Sequence, residues 1–246
     1  MNLSEIVRKL EVIAPPELAE EFDEGRIGLT LDLKNEVNRI AVALDPTEYT
    51  LNRAADIGAD LLITHHTLLF HSINSISCKL AKHLKIALDN NVSLYAMHTN
   101  YDRAEGGVSD ILAEKLGLKN IEKLDMGCIG EMDTVSKDVF INHVCKSLNT
   151  HVQYVGEKEM ISKVMVFGGS GFKGPFLDIA NSMEVDAYVS SELKHDVIRN
   201  FTDMLLVDAT HYATENPAMQ ALATRLENDL GIDTEFIDHN PLIRTS

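Results

Sequence analysis

Short apolar runs alternate with helix-period segments along most of this chain, and few architectures accept that order. VNRIAVALD (37–45), DLLITHH (60–66), VSLYAMHTNYD (92–102), ISKVMVFGGSGF (161–172), VDAYVSSE (185–192) and DMLLVDAT (203–210) read as strands, several running on into polar turns. EYTLNRAADIGA, CKLAKHLKIALDNN, GGVSDILAEKLGL, PFLDIANSM and LKHDVIRNF read as helices. In the first of these, Leu51, Ala54, Ala55 and Ile57 share one side and Gly58 stops the helix. Strands alternating with helices of this length predict βαβ crossovers and a partly parallel sheet, an α/β fold.

The remaining segments fit around that frame. Leu3, Ile6, Val7 and Leu10 recur at helical spacing before Pro15 and Pro16, so the chain opens on an amphipathic helix rather than a signal peptide. PELAEEFDEGRIGLTLD reads as a short helix, a turn and a strand entry. IEKLDMGCIGEM is expected as a strand, SKDVFINHVCKSLN as a helix and HVQYVG as a strand. The long helix TENPAMQALATRLENDLG and the strand IDTEFID close the chain.

The two halves resemble each other. IAVALDPTEYTLNRAADIGADLLITHH can be laid beside VMVFGGSGFKGPFLDIANSMEVDAYVSSE, with Asp60 and Asp186 each opening a second strand. SLYAMHTNYD and MLLVDATHYATE again match as strands ending in histidine and carboxylate. A degenerate internal repeat of two α/β lobes is therefore expected, over 1–125 and 126–246, the first also packing with the C-terminal segment.

Open α/β sheets place ligand groups at the carboxyl ends of their strands. His65 and His66, His98 with Asp102, Glu192 with His195, and His211 with Glu215 all stand at such ends. His211 and Glu215 lie four apart on the first turn of a helix, so both reach one centre. Imidazole with carboxylate suits Zn, Fe or Mn, and the absence of thiolates from the set differs from a closed structural zinc site. Adjacent strand-end residues point different ways, so His65 and His66 are better placed to hold one ion each. His71, His83, His143, His151 and His239 lack this placement and read as surface or structural. GGSGF (168–172) matches neither a dinucleotide fingerprint nor a P-loop and reads as a tight turn whose amides can meet an anion.

Composition narrows the partners. A net charge of -16 opposes broad nucleic-acid binding, which needs a basic face. Three scattered cysteines, Cys78, Cys128 and Cys145, fit a reducing cytoplasm, and no segment approaches a membrane span.

ELAEEFDEGRIGL, LLITHHTLLF, MHTNYD, SSELKHD and DATHYATE resemble, in order and spacing, the signature blocks of the NIF-three-like family, whose members carry the name GTP cyclohydrolase I type 2 homologues. The resemblance covers nearly the whole chain. It implies two similar α/β lobes facing a central cleft with a dinuclear metal site on His65, His66, Asp102, His211 and Glu215, the last bridging two divalent ions. It makes His98, Glu192 and His195 candidates for proton transfer. It also implies dimers assembled into a hexameric ring. The chain departs from relatives in having Phe22-Asp23 for Trp-Asp and Ser191-Glu192 for Gly-Glu. Three functions remain open: a metal-dependent hydrolase of a small polar or nucleotide-like substrate, a non-catalytic metal-storage, delivery or adaptor protein, and a ring that encircles nucleic acid.

Overall fold

A computed structural model describes residues 1–200 and 204–240. The fold is mixed α/β, with two sheets and nine α-helices among the described residues. In chain order the elements are α1 (Leu3–Ile13), β1 (Gly28–Leu31), β2 (Arg39–Ala43), α2 (Glu48–Asp56), β3 (Leu61–Thr64), α3 (Cys78–Asn90), β4 (Ser93–Ala96), α4 (Thr99–Arg103) and α5 (Val108–Lys115). They continue with β5 (Lys119–Lys123), β6 (Cys128–Ser136), α6 (Lys137–Leu148), β7 (Gln153–Val155), β8 (Met160–Val166), α7 (Gly174–Ser182), β9 (Ala187–Ser190), α8 (His195–Asn200), β10 (Leu205–Asp208), α9 (His211–Leu230) and β11 (Asp233–Phe236).

The chain divides into two compact units, Met1–Glu105 with the described residues from Ala218 on, and Gly106–Pro217. The sequence expectation divides the chain into lobes over 1–125 and 126–246; in the structure β11 pairs in parallel with β2. In the first unit the strand order is β1-β4-β3-β2-β11, parallel except for β1. Helices α2 and α3 make the crossovers β2 to β3 and β3 to β4. Ala41, Ala43, Leu51, Ala54, Leu62, Ala87 and Leu94 are buried together between strands and helices. The strands are short and apolar on both faces because helices cover them.

In the second unit the order is β5-β6-β8-β9-β10-β7, with β8, β9 and β10 parallel and the flanking pairs antiparallel. The β-α-β-α-β connectivity of β2 to β4 recurs from β8 to β10. Phe140, Val144, Val164, Val166, Val189 and Val207 pack on one face of this sheet. Met165, Phe167, Leu177, Tyr188 and Leu206 pack on the other.

Three segments differ from the sequence expectation. PELAEEFDEG, expected as one short helix, forms two single 3₁₀ turns, at Pro16–Leu18 and Glu21–Asp23. IEKLDMGCIGEM is not one strand but the hairpin of β5 and β6, turned at Gly127, whose φ of 88° suits glycine. The polar turn after β4 is the helix α4. Phe201 and Asp203, the expected end of α8 and start of β10, and residues 241–246 lie outside the described residues. Among the described residues no helix is long and apolar enough to cross a membrane.

Candidate metal centre

Parallel pairing explains how distant histidines meet in the first unit. Register joins Ala43 to Thr64 and Thr64 to Ala96, and the ladder runs one step further: the His66 N–H donates to Leu44 O at 3.0 Å and the Met97 N–H to Thr64 O at 3.0 Å. Three strands thus finish level. Asp45 arrives beside His66, and His98 beside His65. The rings of His65, His66 and His98 lie with centroids 5.1–5.6 Å apart. One nitrogen from each can be chosen so that all lie within 4.8 Å of one another, a spacing that suits a shared ion.

Carboxylates orient two of these rings. His66 Nδ1 is 2.7 Å from Asp45 Oδ1, and His98 Nδ1 is 2.8 Å from Asp23 Oδ2. An Nδ1–H given to a carboxylate fixes the tautomer and sets Nε2 as the nitrogen that would meet a metal. Asp23 is fully buried and also accepts from the Thr99 backbone N–H and hydroxyl. Burial works to raise its pKa, but the bonds from His98 and Thr99 outweigh it and hold the carboxyl below its ordinary range. The first turn of α4 brings in Asp102, its Oδ1 3.6 Å from His65 Nε2. Asn100 anchors that turn, accepting from the His98 N–H at 2.9 Å and donating to Ala14 O at 2.8 Å.

The second unit builds its own group. His211 opens α9 and Glu215 follows one turn on, with His211 Nε2 2.9 Å from Glu215 Oε1. Glu192, just past β9, places Oε1 2.7 Å from His211 Nδ1. Burial opposes charge on His211, yet Glu215 and Glu192 together prevail and hold its pKa up at about 9. Glu192 and Thr210, on either side of this arrangement, have φ of 62° and 69°, the left-handed region that side-chain-bearing residues seldom occupy. Asp208 secures both turns, accepting the Leu193 N–H at 2.8 Å and the Thr210 N–H at 3.0 Å.

The glycine-rich turn after β8 closes over the same carboxylate. Gly169 has φ of 71°, and a Cβ built there would stand 2.1 Å from Glu215 Oε1 and 3.2 Å from His211 Nε2. Its N–H donates to Thr214 Oγ1 at 3.0 Å, and its carbonyl accepts from the Ser190 hydroxyl at 2.9 Å. Glycine here allows backbone to lie directly against Glu215.

The proposed ligands His65, His66 and Asp102 therefore lie together in the first unit, and His211 and Glu215 in the second. Of the proton-transfer candidates, His98 sits among the ligand-capable histidines and Glu192 engages the back of His211. His195 is exposed at the start of α8, and no ligand-capable group among the described residues includes it. The sequence reading did not assign roles to Asp23 or Asp45, and it read Gly169 only as part of a tight turn. Asp45 ends an apolar strand just as the histidines do, which is the signal that marks it. His143 and His239 are structural as expected: His143 meets Leu116 O at 2.8 Å, and His239 meets Thr47 and stacks on Tyr49.

A family profile described as Duf34/NIF3 (NGG1p interacting factor 3) matches residues 1–241. The chain belongs to the DUF34/NIF3 family. A GTP cyclohydrolase 1 type 2 homolog from Clostridium perfringens is 30% identical over 254 residues, covering 96% of this chain and 95% of that protein. Among solved structures, reduced HcgD from Methanocaldococcus jannaschii is 30% identical with a TM-score of 0.85, covering 97% of this chain and 98% of its own. A Bacillus cereus protein related to NIF3 superposes with a TM-score of 0.91 over 100% of this chain and 99% of its own; at 22% identity it shows the shared fold alone. As a DUF34/NIF3 protein, the chain carries histidine and carboxylate groups able to hold a metal ion.

Proposed function

We propose that this DUF34/NIF3 protein is a metal-dependent hydrolase, acting on a small polar or nucleotide-like substrate in the cytoplasm. In this reading His65, His66, Asp102, His211 and Glu215 would hold two divalent ions, Zn, Fe or Mn. The observation that carries the reading is the imidazole–carboxylate pairing of His66 with Asp45, His98 with Asp23 and His211 with Glu192. A purely structural histidine seldom needs its tautomer set by a carboxylate, whereas a ligating one does. Ions held there would supply Lewis acidity, polarising a substrate oxygen and acidifying water.

The protein's own groups divide the remaining work. Asp45 and Asp23 orient His66 and His98, and Glu192 orients His211. His98, Glu192 and His195 are the groups that move protons in this reading. The name of the Clostridium perfringens relative points to GTP as the first substrate to try. We further propose that dimers assemble into a hexameric ring, which sedimentation equilibrium would report as six chains of 27.3 kDa.

Metal content by mass spectrometry, on protein purified without added metal or chelator, tests the site. About two ions per chain are expected, with clear loss in His66→Ala and in Glu215→Ala. Protein that holds no metal after reconstitution with Zn, Mn and Fe would end the hydrolase reading. Metal-replete protein that released no formate from GTP would reject the cyclohydrolase version alone.

A further inference from the structure

Beside the histidines of the first unit stands a cation that the metal reading leaves unused. Arg26 follows the turn that carries Asp23. Its guanidinium carbon lies 5.7 Å from the centre of the Phe22 ring and 5.5 Å from that of Phe70. Both rings are open to solvent, at 49% and 40%. Both also meet the His98 imidazole edge-on, with centroids at 6.2 and 5.4 Å. Arg26 and His98 therefore contact the same two phenyl rings.

The surroundings of this arginine differ from those of most others in its unit. Arg39, Arg53 and Arg103 each pair with a carboxylate: Asp233, Glu235 and Glu20. Among the described residues no carboxylate pairs with Arg26, in a chain with 38 acidic residues. Contact with two ring faces restrains a guanidinium while consuming none of its five N–H donors. A restrained planar fork with its donors outward is pre-organised for two parallel bonds to an oxyanion. Next to a cation-binding group, its positive charge is unfavourable unless an anion sits between them.

We propose that Arg26, clamped by Phe22 and Phe70, binds an oxyanion of the substrate, a phosphate or a carboxylate, and presents it to the His65, His66 and His98 group. This deepens the hydrolase reading and rests on it, because it takes the histidine group as the reacting centre. Phe22 and Phe70 are positioning residues: they hold the guanidinium and leave recognition to it.

Calorimetric titration of the full chain tests the assignment. The probes are GMP for the phosphate, succinate for the carboxylate, and guanosine as the phosphate-free match to GMP. Wild-type protein is expected to bind GMP, succinate or both more tightly than guanosine. Arg26→Gln should weaken binding of the favoured anion by about tenfold or more and leave guanosine unchanged. Arg26→Lys, which keeps the charge without the fork, should fall between. Arg8→Gln makes the same charge change at an exposed position of α1 and should match wild type. Equal anion binding by Arg26→Gln and wild type, equal losses in Arg26→Gln and Arg8→Gln, or no anion binding by wild type would each overturn the proposal. Metal content measured on the same samples separates the two readings. Wild type without metal defeats the hydrolase reading, whereas Arg26→Gln that loses metal makes Arg26 a support of the metal group and overturns the anion assignment.

Discussion

At the scale of single residues, the site depends on side chains and backbone that never need to touch an ion. Asp45 and Asp23 set the orientation of His66 and His98 through short Nδ1 contacts. Replacing Asp45 with Ala is expected to lower metal affinity by about 10–100-fold while circular dichroism stays unchanged. A metal titration in which Asp45→Ala equals wild type would show that the pair is incidental. Gly169 makes a different demand. Gly169→Ala would drive a methyl into the Glu215 carboxylate and place a side chain at φ of 71°. Loss of metal is expected, along with a stability loss of about 1–3 kcal/mol from the strained backbone. Urea unfolding with metal analysis would read both, and a variant retaining full metal would refute the close approach.

At the scale of elements, parallel strands joined by helices need fastening at their starts, and the two units solve this alike. Asp60 Oδ2 accepts the Asn38 N–H at 2.8 Å and pairs with Lys34, while Asp186 Oδ2 accepts the Ser162 and Lys163 N–H groups at 2.9 Å and pairs with Lys158. Each aspartate so ties its strand to the preceding one. Burial pushes both carboxyls up, but the backbone donors and lysines outweigh it and lower both pKa values. A folded pKa below the unfolded value, about 3.9, means the stabilisation is complete above that pH. It fades as pH falls through the lower folded value. Asp186→Asn is therefore expected to cost about 2 kcal/mol at neutral pH and to flatten the stability profile below about pH 4. Denaturant unfolding at pH 7 and pH 3 would check this, and an equal loss at both values would refute the linkage.

At the scale of the whole molecule, charge and metal set the expected behaviour. A net charge of -16 repels the phosphate backbone, so no mobility shift of duplex DNA is expected at about 0.15 M salt. A shift persisting there would revive the nucleic-acid ring. Metal that binds only the folded chain stabilises it by about 2.7 kcal/mol at a hundredfold excess over Kd. Chelation is accordingly expected to lower Tm by about 5–10 °C for a chain of this size, with recovery on adding back the ion. Calorimetry showing no change would argue that the histidine groups hold no ion in the native protein.

The alternation of apolar runs and helix-period segments already determined the α/β class, because short β-rich stretches and amphipathic helices have no other common way to bury both. It also put His65, His66, His98 and His211 just past strand ends, since an apolar run must stop where polar groups begin. The covalent order alone left out who meets whom. Asp23 and His98 are far apart in the chain, and a three-residue turn with α4 brings them to 2.8 Å. Parallel register carried Asp45 to His66, and a left-handed glycine let the 168–172 turn lie on Glu215. The return of β11 to β2 was equally a matter of tertiary pairing. Sequence periodicity reports which face of an element is apolar; it carries no record of strand order or register, and those two quantities decided which carboxylate stands behind each histidine.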